Sequence, residues 1–218
     1  MQNLRSRIRG GESATVEFKI TVPEAEKLAR TLAAFANSAG GTVFVGISDR
    51  GDIHGVADPR SEIEAIERSI ELVTPRPAFK VEKFVSDLRD VVAIAVEEVE
   101  FPDLCYIETF EEEVELLYFR VGAETRPIDR PSERAIIRLR RHSRGDRTVT
   151  EEGQRVLDFL WKDGAKSEAK CAHHLNFSNG RIRKIVEDLI GAGFAIAYDI
   201  GRQRTYAAVH PGPGRPKR

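Results

Sequence analysis

Ala25, Leu28, Ala29, Leu32, Ala33 and Ala36 recur at helical spacing, and the run stops at Asn37-Ser38-Ala39-Gly40-Gly41. They share one face of a helix that Pro23 opens. A face built mostly of alanine implies close packing, and a sheet is the surface that accepts it. The two glycines supply the positive φ of a helix stop. Behind them Thr42–Ile47 is a short apolar, β-rich run that reads as a buried strand. Ahead of the helix Thr15–Ile20 alternates, with Val16, Phe18 and Ile20 facing one way and Thr15, Glu17 and Lys19 the other.

The rest of the first 130 residues extends this layer. Ser48-Asp49-Arg50-Gly51-Asp52 is a turn, and Ile53–Val56 is expected as the returning hairpin strand. Ser61–Val73 carries Ile63, Ile66, Ile70 and Val73 on a helical stripe that ends before Thr74-Pro75-Arg76-Pro77. Phe79–Val85 and Val91–Val96 form a second hairpin around Ser86-Asp87, and Glu115–Val121 is a closing strand ending in Gly122. The order βαββαβββ predicts an α/β (α+β) domain with a mixed sheet over residues 1–130. Residues 131–149 are rich in arginine and read as a helix around Glu133–Arg141 followed by a basic linker.

From Thr150 the pattern becomes helix, helix, helix, hairpin. Thr150 caps the first helix, with Glu151 and Glu152 in its first turn. Ser167 starts the second, and Ser178 the third, which carries Ile182, Ile185, Val186, Leu189 and Ile190 on one face. Phe194–Asp199 and Thr205–Val209 pair around Gly201-Arg202-Gln203-Arg204. By element order and length, residues 150–210 are a small winged helix, and residues 211–218 are expected to be a disordered basic tail.

Charged residues make up 32% and hydrophobic residues 41%, an ordinary soluble composition. No apolar run approaches the roughly 18 residues of a membrane span, and the N-terminus lacks a signal peptide's apolar core. Cys105 and Cys171, the only two cysteines, supply neither a disulfide framework nor a four-cysteine zinc site, so a cytoplasmic setting fits best. The net charge of −1 hides a split. Residues 1–130 hold 16 Lys+Arg against 25 Asp+Glu, and residues 131–218 hold 18 against 10. A basic second half suggests a polyanionic partner, although solvated acidic faces such as Glu111-Glu112-Glu113 give a blander account of the first half.

Two constellations carry candidate chemistry. Ser178, Asn179, Arg181, Arg183 and Lys184 occupy the N-terminal half of the third helix, where a recognition helix meets base edges and phosphates. Arg202 and Arg204 on the wing suit backbone or minor-groove contact, and Arg138 and Arg141 in the basic stretch are further candidates for nucleic-acid binding. The same module also serves for dimerisation or protein docking, with its basic residues merely solvated. The tail Pro213-Gly214-Arg215-Pro216 has the Gly-Arg-Pro core of an AT-hook but not the preceding arginine. In the first domain Glu12, Glu17 and Asp49 are carboxylates of the kind that hold Mg²⁺ or Mn²⁺, and Lys19 beside Glu17 suits charge on a phosphate. Strict alternation puts Glu12 and Glu17 on opposite faces, so the chain must break near Ser13 for them to meet. Cys171, His173 and His174 crowd one helical turn without partners at zinc-finger spacing, and His54 reads as a surface residue. There is no phosphate loop and hence no expectation of ATP.

Four segments resemble one family. Glu12-Ser13-Ala14-Thr15-Val16-Glu17-Phe18-Lys19 resembles the opening motif of the Schlafen AlbA-like domain, with two glutamates ahead of Phe-Lys. Ala34-Phe35-Ala36-Asn37-Ser38-Ala39-Gly40-Gly41, then Gly46-Ile47-Ser48-Asp49 with Gly51 and Gly55-Val56, then Tyr118-Phe119-Arg120-Val121-Gly122, follow in the family's order over roughly residues 10–130. The resemblance implies an α/β domain often described as DNA-binding, which in bacterial and archaeal members is often followed by a helix-turn-helix. In the animal members two such lobes form a U-shaped groove, and some cleave tRNA or rRNA with two glutamates and an aspartate as metal ligands. Those positions match Glu12, Glu17 and Asp49. This chain has one lobe, so such a groove requires a homodimer, and it lacks the animal proteins' zinc-binding Cys/His set.

Two readings result. The first is a dimeric, DNA-binding, transcription-regulator-like protein. The second is a metal-dependent endoribonuclease acting on structured RNA such as tRNA.

Overall fold

The computed structural model describes residues 4–99, 103–108, 115–129, 131–132, 134–135 and 148–208. Most of the expected basic helix and linker, with Arg138 and Arg141, lies outside the described residues, as does the tail. The chain falls into two compact units, Met1–Arg126 and Pro127–Arg218.

In the first unit a short helix α1 (Leu4–Ile8) precedes β1 (Val16–Lys19), α2 (Ala25–Ala36), β2 (Gly41–Val45) and α3 (Pro59–Glu71). Then come β3 (Val73–Thr74), β4 (Phe79–Ser86), β5 (Arg89–Val96), β6 (Tyr106–Glu108), β7 (Glu115–Leu116), β8 (Tyr118–Val121) and β9 (Glu124–Pro127). The main sheet is mixed, in the order β1-β2-β5-β4, with β1 parallel to β2 and the other pairs antiparallel. Val43, Val45, Val92 and Ile94 pack on one face with Leu28, Leu32, Phe35, Ile66 and Ile70 of α2 and α3. Phe18, Phe44, Val91 and Ala93 pack on the other with Leu4 and Ile8 of α1. Burial on both faces explains the unbroken apolar run in β2.

It also corrects the reading of β1. Phe18 is fully buried, but Ile20 is 53% exposed beyond the strand's end. Glu17 and Lys19 are in register with Val43 and Val45, on the helix-covered face. The expected strand Ile53–Val56 is reduced to one bridge, Ile47 to Ile53. The expected closing strand is split, because β7 joins β6 while β8 pairs with β9 in a separate ribbon.

The glycine pair after α2 is required by space. A Cβ on Gly41 would lie 2.4 Å from the Phe35 ring, and Gly40 has φ +68 with a Cβ position 2.8 Å from the Val96 carbonyl. Asn37, the C-cap of α2, is buried, and its side chain ties three distant backbone groups. Nδ2 donates to the carbonyls of Cys105 (2.7 Å) and Tyr118 (3.1 Å), and Oδ1 accepts from the Cys105 amide (2.7 Å).

The second unit holds α4 (Glu151–Asp163), β10 (Lys166–Ser167), α5 (Glu168–Leu175), α6 (Asn179–Gly191), β11 (Ala195–Ile200) and β12 (Gln203–Ala208). The antiparallel sheet runs β10-β12-β11, so a short strand precedes the second helix and pairs with the hairpin. Thr150 and Ser178 accept from the Gly153 and Arg181 amides, whereas Ser167 makes no such side-chain cap. Val156, Leu157 and Leu160 pack with Ile182, Val186, Leu189, Phe194 and Tyr206. Among the described residues no helix is long and apolar enough to cross a membrane.

Candidate nucleic-acid interface and the carboxylate seam

The first strand's carboxylates are held by their own chain. Gly11 turns at φ +71, and the Ser13 amide donates back to the Val16 carbonyl, so the chain breaks where convergence required it. Glu12 swings beside β1, an edge strand, and its Oε1 accepts from the Phe18 amide at 2.9 Å. The carboxylate thereby occupies a backbone donor that an open sheet edge would expose. Glu12→Ala is expected to cost about 1–2 kcal/mol of stability while Glu12→Gln, which keeps the acceptor, costs little. Urea denaturation of the two variants checks this.

Glu17 is the centre of a buried charge seam. Its Oε1 accepts from Lys19 Nζ at 2.6 Å. Its Oε2 lies 2.9 Å from Arg120 Nη1, an ion-pair contact without hydrogen-bond alignment. The Arg120 side chain is 1% exposed and that of Glu17 12%. Arg120 donates to Thr125 Oγ1 (3.0 Å) and to the carbonyls of Ser13 (2.9 Å) and Ala123 (2.8 Å), and its guanidinium lies 4.6 Å from the Phe35 ring centroid. Arg120 thus links β8, the turn before β9, the break before β1, and α2. Its signal in the sequence is an arginine inside the otherwise apolar Tyr118–Val121.

This arrangement does not fit a divalent cation. Hard cations need several convergent oxygens. Both Glu17 oxygens already face cations, Glu12 is committed to the backbone, and Asp49 is exposed on the turn after β2. Among the described residues no group of three His, Cys, Asp or Glu side chains is placed to hold a metal. Cys171 is buried, and burial pushes its thiol up to about 11. His173 and His174 are exposed, His174 stacking on Phe159, and His54 is a surface residue.

On α6 the apolar residues Ile182, Ile185, Val186, Leu189 and Ile190 are buried, which leaves Asn179, Arg181, Arg183 and Lys184 exposed behind the Ser178 cap. Two of the cations have carboxylate partners. Arg181 Nη2 lies 2.7 Å from both Glu152 oxygens. Arg183 grips Glu168 through Nη2 (2.8 Å) and Nε (3.2 Å), and Tyr206 donates to the same carboxylate at 2.8 Å. The Arg183 hydrogen bond holds the Glu168 carboxyl below the usual range, while burial and then Glu168 push the Tyr206 hydroxyl up. Arg204 pairs with Asp129 and sits 3.5 Å from Asp199. Lys184 and Arg202, the latter on the hairpin turn after Gly201, are exposed and have no ion pair among the described residues. The sequence marks the cations but not Glu152, Glu168 and Asp129, which reach them across the fold.

The Schlafen, AlbA_2 family model matches residues 12–129. No curated protein matches the chain. Among solved structures, the DIP2311 protein of Corynebacterium diphtheriae is similar at 20% identity and TM-score 0.43, over 83% of this chain and 32% of that one. The chain therefore spans about a third of that protein's length. The N-terminal domain of a RecG-related protein of Nitrosomonas europaea is similar at 20% identity and TM-score 0.40, over 57% of this chain and 92% of that one. The family match spans more than half of the chain and takes in both ends of the Glu17–Arg120 seam, and the chain belongs to the Schlafen, AlbA_2 family.

Proposed function

We propose that the protein binds nucleic acid, as a dimeric, transcription-regulator-like protein whose second unit is a winged helix contacting duplex DNA. The observation that carries this reading is α6, whose apolar face is buried in its own unit and whose capped N-terminal half presents Asn179, Arg181, Arg183 and Lys184 to solvent. Arg202 on the hairpin turn supplies a further cation suited to phosphate. The surplus of Lys+Arg over Asp+Glu in residues 131–218, 18 against 10, supplies the long-range attraction. Two copies would set two such helices on two half-sites.

The ion pairs grade the contacts. Arg181 and Arg183 would have to leave Glu152 and Glu168 to reach phosphate, whereas Lys184 and Arg202 have no such cost. Lys184→Ala/Arg202→Ala is expected to weaken duplex binding at least about tenfold and to lower the salt slope by about two. Fluorescence anisotropy from 50 to 200 mM salt measures both quantities over a range where such contacts respond. Unchanged affinity and slope would overturn the reading.

The nuclease alternative would use Glu12, Glu17 and Asp49 with Mg²⁺ or Mn²⁺, with Lys19 on the phosphate. It requires Glu17 to leave Arg120 and Lys19. Incubation with tRNA and Mn²⁺ decides it: discrete cleavage by the parent and none by Glu12→Gln/Glu17→Gln/Asp49→Asn, with the variant shown to be folded, would establish that activity.

A further inference from the structure

The two edges of the main sheet are finished differently. β1 is four residues long, and Glu12 takes up the Phe18 amide along it. β4, the opposite edge, pairs with β5 without a bulge over all eight of its residues and contains no proline. An edge of that length and regularity is a ready template for another strand. Its hydrogen-bonding parity follows from the start of the ladder, where the Ala78 carbonyl accepts from the Glu97 amide at 2.9 Å. Even-numbered residues of β4 therefore bond to β5, and Phe79, Val81, Lys83 and Val85 turn their N–H and C=O groups outward.

Charged side chains on an edge ordinarily guard it against pairing, and most registers of β4 with a second β4 are barred in this way. Directly opposite residues of an antiparallel pair share a face, so a two-fold axis relating two copies has to pass through a residue and not between two. Centring on Glu82 sets two glutamates against each other, and centring on Lys83 sets two lysines. Centring on Phe84 gains no opposite charges and bonds only through Lys83 and Val85. Centring on Val81 sets Lys80 opposite the partner's Glu82 and Glu82 opposite the partner's Lys80, with valine on valine at the axis. The outward-turned groups of Phe79, Val81 and Lys83 then all find partners.

The side chains fit the same register. Phe79, Val81 and Lys83 lie on the helix-covered face, in register with Val96, Ile94 and Val92. Phe79 is half-buried, and the exposed Arg76 guanidinium lies 4.9 Å from its ring centroid. Lys83 lines a depression of about 530 Å³ together with Asp58, Arg60, Ile63, Glu64 and Glu67 of α3 and its cap. Arg60 is paired with Glu64 and Lys83 with Asp90, so Asp58 and Glu67 are the acids there without an ion pair among the described residues. With Phe79 of one copy set opposite Lys83 of the other, each phenylalanine stands at the other copy's depression and carries Arg76 toward those two acids. We infer that the β4 edge receives a second copy of this chain, antiparallel and centred on Val81, so that the two sheets become one. The inference rests on the reading above only for its dimeric part.

Analytical ultracentrifugation of the full chain at tens of micromolar is expected to give a dimer. Val81→Pro removes an N–H that faces outward, so β4 loses no bond to β5, and proline is tolerated on an edge strand. That variant is expected to keep the parent's circular dichroism spectrum and to sediment as a monomer. Lys80→Glu, at an exposed side chain, sets glutamate against the partner's Glu82 on both sides of the axis and is expected to weaken the dimer at least about tenfold. Lys80→Glu/Glu82→Lys restores opposite charges across the axis and is expected to recover the dimer, which a merely structural role for either residue would not give. A parent that stays monomeric overturns the inference together with the dimeric part of the reading above, while duplex binding by that monomer, read by anisotropy, leaves the nucleic-acid part standing. A dimer that Val81→Pro and Lys80→Glu both leave as tight as the parent's seats the second copy elsewhere and overturns the inference alone.

Discussion

Arg120→Ala is expected to destabilise the first unit by about 3–5 kcal/mol, the cost of removing one member of a buried ion pair. The midpoint should fall on the order of 10 °C or more. The substitution strips the donors from the Ser13 and Ala123 carbonyls and opens space against Phe35. It also leaves the Glu17 carboxylate with Lys19 as its remaining ion pair. Arg120→Lys keeps the charge but not the planar fork that serves several acceptors, so it should recover only part of the loss. Glu17→Gln leaves a guanidinium buried without its counter-ion and should cost a comparable amount, whereas replacing both residues by methionine should cost less than the two single losses together. Thermal and urea denaturation measure all of these. The result also governs how activity assays are read, since a Glu17 variant that loses an activity has to be shown folded before the loss is assigned to a missing metal ligand. A true metal site would show itself independently, because Mn²⁺ would raise the parent's midpoint with concentration and leave that of the Glu17 variant unchanged.

Local patterns foretold most of the elements. Helix α2, the glycine stop behind it, the β4–β5 hairpin and the buried stripe of α6 all follow from spacing and from residues a few positions away. The short pieces β3, β6, β9 and β10 do not, because strands of two to four residues carry too few alternations to announce themselves and form only when a distant partner arrives. The split of Glu115–Val121 has the same cause, as the two halves pair with different neighbours. At the candidate site the residue types were legible and their partners were not. Glu17 and Lys19 read as a polar strand face, yet Arg120 lies 103 positions away from Glu17 and turns that face into a covered charge seam. Arg181 and Arg183 read as free cations, and only the packing of α4 and α5 against α6 brings Glu152 and Glu168 to them. Long-range pairing of charges is what a periodicity cannot express.

Asn37→Ala is the second large loss expected. The sequence offers Asn37 as part of a helix stop, but its amide satisfies the Cys105 amide and carbonyl and the Tyr118 carbonyl inside the core. Alanine removes these three buried hydrogen bonds, and at about 1–3 kcal/mol for each one not replaced a loss on the order of 4 kcal/mol is expected in urea denaturation. Asn37→Asp should be no better, since a carboxylate keeps the acceptor for Cys105 but sets an oxygen against two carbonyls in a buried site. The position also bears on the charge seam. Ser38, the next residue, accepts from the Arg120 amide through Oγ at 2.9 Å, and Tyr118 is two residues from Arg120 on the same strand. Releasing the end of α2 should therefore loosen β8 and let Arg120 slip from Glu17. If so, Asn37→Ala and Arg120→Ala are less than additive when combined, because the first loss already contains part of the second. Strict additivity would mean that α2 and the seam are held independently, and that Asn37 acts on the core alone.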